Sequence, residues 1–175
     1  MDYNIFETRF WPRVRHLTKL SPIVIWTEIC SEIKGRVDSY KFEDFGININ
    51  GYMAGTGKKK GNFMEVEEKY EVYMIWIRYE QWKNEMRAYD LNDVVNHVLQ
   101  QIRSDILKET CMIHFLMVDE VQDLTQNVIS LLMNLAQKNI FFSGDTAQTI
   151  AKGVGFRFYD LKQVFSRNNY DMAFQ

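Results

Sequence analysis

Two apolar runs in the last third of the chain are each cut off by a polar cluster. The first, Met112 to Val118, ends at the adjacent carboxylates Asp119 and Glu120, with Gln122 and Asp123 just beyond. The second, Asn139 to Ser143, carries Ile140, Phe141 and Phe142 and ends at Gly144 and Asp145. Between them, Thr125 to Lys138 places Val128, Leu131, Leu132 and Leu135 on one face of a helix. Short, continuous apolar runs flanking an amphipathic helix predict a β-α-β unit with parallel strands and a right-handed crossover. Ligands bind such sheets at the carboxyl ends of the strands, so both polar clusters are expected at one sheet edge.

Upstream, the periodicity is helical. Tyr3, Phe6, Phe10, Val14 and Leu17 recur at near-helical spacing, with Pro12 predicting a break or two short helices. Ser21 and Pro22 read as an N-cap and first helical residue, and Gly35 as the stop of that helix. The stretch 37–62 holds five of the nine glycines and reads as an irregular loop. A long helix is predicted from Glu65 to Arg87, with Tyr70, Tyr73, Trp76, Tyr79 and Trp82 at every third position. Such aromatics can stack nucleic-acid bases, but they serve more often as core or as a subdomain interface. A second helix is expected from Asp90, with Asp90 and Asp93 as a capping box and Leu91, Val94, Val95, Val98, Leu99, Ile102 and Ile106 as its apolar face.

Composition narrows the class. An apolar content of 46% with 14% aromatic residues supports a sizeable core, and the net charge of −2 gives no overall basic footprint for nucleic acid. A locally basic groove stays compatible with that charge. Cys30 and Cys111 form no metal-type pair, so they read as reduced thiols of an intracellular protein. Cys111 and His114 offer half of a zinc site with no second half, and ordinary packing is the better reading. No apolar run reaches membrane-spanning length, so a soluble, intracellular chain with no membrane partner is expected, nucleus or cytoplasm being open.

The polar clusters suit nucleoside triphosphate hydrolysis, which needs charge neutralisation on the phosphates and an oriented water. Asp119 would bind Mg2+, directly or through water, and Glu120 would polarise the attacking water. Gln148 both donates and accepts, so it could touch a γ-phosphate and that water together. Gln122 and Asp123 would tie the strand ends to one another, or simply make loop hydrogen bonds.

Three motifs in order carry a family resemblance. Asp119-Glu120-Val121-Gln122-Asp123 resembles the Walker B motif of UvrD/Rep-type superfamily 1 helicases, and Gly144-Asp145 with Gln148 and Ile150 resembles the sensor motif that follows it. Tyr89 to Val95 resembles the acidic, apolar signature that precedes Walker B there. Phe6 to Pro12, Val24 to Gly35 and Asp145 to Phe158 are also similar to the helicase portion of TPR and ankyrin repeat-containing proteins. The resemblance implies an α/β fold, namely a partial RecA-like P-loop NTPase domain with parallel strands plus a largely helical insertion subdomain. It implies ATP and Mg2+ as cofactors, with Asp119, Gln122, Asp145 and Gln148 as nucleotide-binding residues and Glu120 and Gln148 as catalytic ones. Single-stranded DNA or RNA is the implied partner. Phe156 and Arg157 stand where the family contacts the strand, and packing of Phe156 under the loop is an equal alternative.

One motif is missing. No Gly-x-x-x-x-Gly-Lys-Ser/Thr loop occurs, because around Gly57 and Lys58 the first glycine position is Tyr52 and the metal-ligating position is Lys59. The chain therefore reads as a fragment of a longer ATP-dependent helicase or translocase and is expected to be inactive alone. Its partners would include the remaining motor domains. Residues 1–108 would form the helical insertion and 109–175 the partial RecA-like core. A catalytically incomplete, helicase-derived scaffold for binding or regulation is the alternative. A purely helical interaction module is a third reading, and it predicts no strand at Met112 to Val118.

Overall fold

The structure, a computed structural model, describes residues 1–54, 64–104, 113–145, 161–162 and 164–165. Helix α1 covers residues 3–17 as a run of α, π and 3₁₀ turns. Pro12 does not break it. The chain instead widens into a π turn over Phe6–Phe10, where the Trp11 N–H reaches the Phe6 carbonyl. That turn relieves the clash and lost donor that proline brings to an α-helical interior. Helix α2 covers residues 22–33, with Pro22 in its first turn and a π turn over Glu28–Ile33.

The segment expected to be irregular contains helix α3, Ile49–Ala54. Asn48 starts it, its Oδ1 accepting from the Gly51 N–H at 2.8 Å. Tyr52 then anchors it, donating its hydroxyl to buried Glu28 at 2.7 Å. Gly51 inside the helix masks the periodicity, which is why the sequence reads as loop.

Helix α4, Val66–Glu85, opens with a capping box between Glu65 and Glu68. It buries Val72, Ile75, Trp76, Tyr79 and Trp82. These pack with Phe6, Phe10, Ile25, Trp26, Ile29 and Ile33 in one aromatic-rich core. Tyr79 lies edge-on to Phe6, Phe10 and Trp26 with ring centroids 5.4–6.0 Å apart. The aromatic series is therefore core at Trp76, Tyr79 and Trp82, while Tyr70 faces out. A spacing of three drifts round a helix of 3.6 residues per turn, so one face cannot hold all five.

Helix α5, Leu91–Arg103, carries the expected Asp90/Asp93 capping box in full. Its buried face differs from the expected one. Val95, Leu99 and Ile102 are buried, but Leu91 and Val94 are exposed, and Asn92 and Asn96 turn inward in their place. Both asparagines find buried partners there, and this decides the rotation of the helix. Ile106 lies outside the described residues.

Strand β1, Ile113–Val118, helix α6, Gln126–Leu135, and strand β2, Ala136–Phe142, complete the described elements. The strands pair in parallel, with Phe115 beside Asn139, Met117 beside Phe141 and Val118 beside Phe142. Helix α6 ends three residues before the expected Lys138, and β2 begins at Ala136, which is buried and pairs with Ile113. The strand at 113–118 removes the purely helical reading. The chain is thus a mixed α/β fold, largely helical, with a two-stranded parallel sheet among the described residues. A second, smaller core of Val37, Val121, Ile129, Met133, Leu161 and Val164 lies under that sheet.

Candidate functional site

Parallel pairing brings the carboxyl ends of β1 and β2 to the same edge. Ser143 N–H donates to the Val118 carbonyl at 2.8 Å, and Val121 N–H donates back to Ser143 at 3.0 Å. The polar clusters that follow each strand therefore emerge side by side. Asp119 and Glu120 are exposed, as is Asp145 across from them. Glu120 adopts a left-handed backbone conformation, φ 53°, and starts the 3₁₀ turn Val121–Asp123. A non-glycine residue held there costs about 1–3 kcal/mol, and such strain concentrates at functional sites.

Gln122 holds the arrangement. It is buried, and its Nε2 donates to the Glu120 carboxylate. Its Oε1 accepts from the Asp145 N–H at 3.0 Å. One side chain thus fixes the Glu120 carboxylate and joins the two strand ends. Gly144 makes the join possible, since a Cβ there would stand 2.4 Å from Gln122 Oε1 and 2.8 Å from Val121 Cγ1. Asp119 Oδ1 accepts from the Glu120 N–H at 3.0 Å. Among the described residues neither Asp119 nor Glu120 has an ion-pair partner, and the hydrogen bonds above engage one oxygen of each carboxylate. Exposed, hard carboxylate oxygens at strand ends match the donor preference of magnesium. Gln148, Phe156 and Arg157 lie outside the described residues, as does Cys111. His114 is exposed on β1.

The upstream acidic signature has a different role. Asp90, Asp93 and Glu80 place carboxylate oxygens within 4.8 Å of one another, a spacing that could hold a cation. The ammonium groups of Lys34 and Lys83 already take that role. Lys34 lies 2.8 Å from Asp90 and 2.9 Å from Glu80, and it also pairs with Asp93. Lys83 lies 2.8 Å from Asp90, 2.9 Å from Glu80 and 2.5 Å from Asp93. Burial alone disfavours the charge on Lys34, but Asp90, Glu80 and Asp93 outweigh it and raise its pKa. Asp90 is likewise penalised by burial, yet Lys34 and Lys83 hold its pKa well below the ordinary aspartate value. For Glu80 burial wins and the pKa is raised against the pull of both lysines. The signature is an internal salt cluster that clamps α2, α4 and α5 together.

Comparison with known proteins gives the family. The family model of the UvrD/REP helicase N-terminal domain matches residues 38–160. The chain belongs to that family. TPR and ankyrin repeat-containing protein 1 of Homo sapiens is 33% identical over 177 residues, a match covering 98% of this chain and 6% of that protein. The chain thus spans only a small part of the curated relative it matches. No solved structure gives a significant match. Within the helicase family assignment, Lys34, Lys83 and the inward-facing asparagines are the residues that sequence reasoning missed. Lysine is almost never fully buried unless paired, and their acidic partners are separated from Lys34 by up to 59 residues in sequence. The signal available was the Asp90/Asp93 pair, which also forms the capping box of α5.

Proposed function

We propose that this chain supplies the acidic half of a magnesium–ATP site in a RecA-like helicase or translocase motor. The observation that carries this reading is the juxtaposition of the Asp119–Glu120 pair and Gly144–Asp145 at adjacent parallel strand ends, tied by Gln122. Membership of the helicase family supports it. Magnesium bound at the loop would neutralise phosphate charge. Asp119 would hold that ion, and Glu120, fixed by Gln122, would orient the attacking water and take its proton. Gln148, which follows the second strand in the sequence, would report the γ-phosphate, and Phe156 with Arg157 would meet single-stranded DNA or RNA. On this reading the phosphate-cradling loop would have to come from elsewhere in a longer protein. Tyr52, the residue at its first glycine position here, belongs to helix α3 and packs in the core. The division of the chain near residue 108 into helical insertion and motor core is part of the same proposal.

The test is magnesium-dependent ATP affinity in the longer protein that carries this segment. Asp119→Asn removes charge from the metal shell and should weaken ATP binding in magnesium while leaving metal-free binding unchanged. Equal affinities for Asp119→Asn and the unaltered protein would remove the metal role.

A further inference from the structure

The exit of the acidic loop is fastened to the helical layer by three buried asparagines. Asn127 lies in the first turn of α6, four residues after Asp123, and is fully buried. Its Nδ2 faces Asn92 Oδ1 at 2.8 Å, Asn96 Oδ1 at 3.2 Å and the Lys34 carbonyl at 3.3 Å. Its Oδ1 accepts from Thr125 Oγ1 at 2.5 Å and from the Val128 N–H at 2.9 Å. Its backbone N–H donates to the Gly35 carbonyl at 2.8 Å. Asn92 in turn donates to the Cys30 carbonyl at 3.2 Å, and Asn96 to the Lys34 carbonyl at 3.0 Å.

These carbonyls belong to the end of α2, where a helix leaves its last acceptors unpaired. Gly35 fits here because a Cβ would stand 2.1 Å from the Cys30 carbonyl oxygen of α2 itself and 3.0 Å from Thr125 Cβ at the start of α6. Lys34 joins the two networks. Its carbonyl takes the asparagines, and its ammonium sits among Glu80, Asp90 and Asp93. A buried polar network is directional, so it fixes orientation as well as contact. An unbroken series of hydrogen bonds and ion pairs thus runs from α4 and α5, through the end of α2, to Asn127, four residues beyond the Val121–Asp123 turn.

We infer that Asn127 is a positioning residue for the Glu120 carboxylate, holding the Val121–Asp123 turn at the angle the site requires. This inference rests on the nucleotide-site reading of the loop. Groups that orient a reactive shell typically cost about 10–100-fold when removed, and displacement of a reacting group by about 1 Å can cost a hundredfold.

The experiment compares Asn127→Ala, Asn92→Ala and Leu99→Ala in the longer protein, at a temperature where each is folded. Leu99 is fully buried on α5 and makes no bond in the network, so it reports generic loss of stability. Both asparagine variants should lower kcat about 10–100-fold with little change in the KM for ATP, while Leu99→Ala keeps kcat. If Asn127→Ala fails to fold, Asn92→Ala carries the test through the same bond from the other helix. An unchanged kcat in the asparagine variants, or an equal fall in Leu99→Ala, overturns the positioning role. Glu120→Gln, run in parallel, separates the two levels. If it turns over normally, the site reading itself has failed. If it is inactive while the asparagine variants are not, only the positioning inference has failed.

Discussion

At the residue scale the site depends on close fits around one glutamine. Gln122 is buried between Glu120 and Asp145, and Gly144 leaves no room for a side chain beside it. Gly144→Ala must push against Gln122 Oε1 and Val121 Cγ1, and overpacking of this kind typically costs about 1–3 kcal/mol. Chemical denaturation of the chain should show that loss, while an unchanged midpoint would mean that the two loops are looser than described. That Asp119 and Asp145 follow adjacent strand ends was legible in the sequence, because two apolar runs joined by one amphipathic helix each end in a polar cluster. The burial of Lys34 and Lys83 was not, because a lysine reveals its partners only in three dimensions. Removing one member of such a buried set leaves the others uncompensated, which typically costs about 3–5 kcal/mol. Lys83→Met should lower stability by that order in a urea titration, and a loss below about 1 kcal/mol would show that the cluster is solvated.

At the scale of elements, long helices and short strands read clearly from periodicity. The long helix, the Asp90/Asp93 cap and both strands lie where apolar spacing puts them, to within a few residues. Helix α3 escaped because Gly51 interrupts it, and the face of α5 escaped because Asn92 and Asn96 are satisfied by carbonyls from a distant segment. The joint of α2, α4 and α5 also sets the pH range of stability. Asp90 has a depressed folded pKa, so its contribution is present above the ordinary aspartate value of about 3.9 and is lost as pH falls below it. Lys34 has a raised folded pKa, so its contribution is full below about 10.4 and is lost as pH rises beyond that. Glu80, with its raised pKa, works against Asp90 on the acid side, but Asp90 is the carboxylate on which both lysines and the Tyr79 hydroxyl converge. Denaturation midpoints should therefore decline below about pH 4 and again above about pH 10. A midpoint that rises steadily on acidification would contradict the clamp.

At the scale of the whole molecule the sheet is unfinished among the described residues. Leu116, Val118, Ile140 and Phe142 are half-buried or packed on the smaller core, except that Ile113, Phe115, Met117 and Phe141 on the other face are 36–68% exposed. Parallel sheets normally bury both faces, and a contiguous apolar face of this kind marks an interface. The motor reading gives that face to the rest of a nucleotide-binding domain. The purified chain alone should bind an apolar dye strongly, and replacing Phe115 and Met117 together by Lys should remove most of the signal; dye binding that survives the double replacement would put the bare surface elsewhere. No helix among the described residues is long and apolar enough to cross a membrane. The proposed ATP turnover turns on Glu120. Single-turnover ATP hydrolysis at saturating nucleotide, in the longer protein bearing Glu120→Gln, tests it most directly. ATP binding should be retained and hydrolysis should fall about a hundredfold to ten-thousandfold; hydrolysis at the unaltered rate would show that Glu120 does not activate the water.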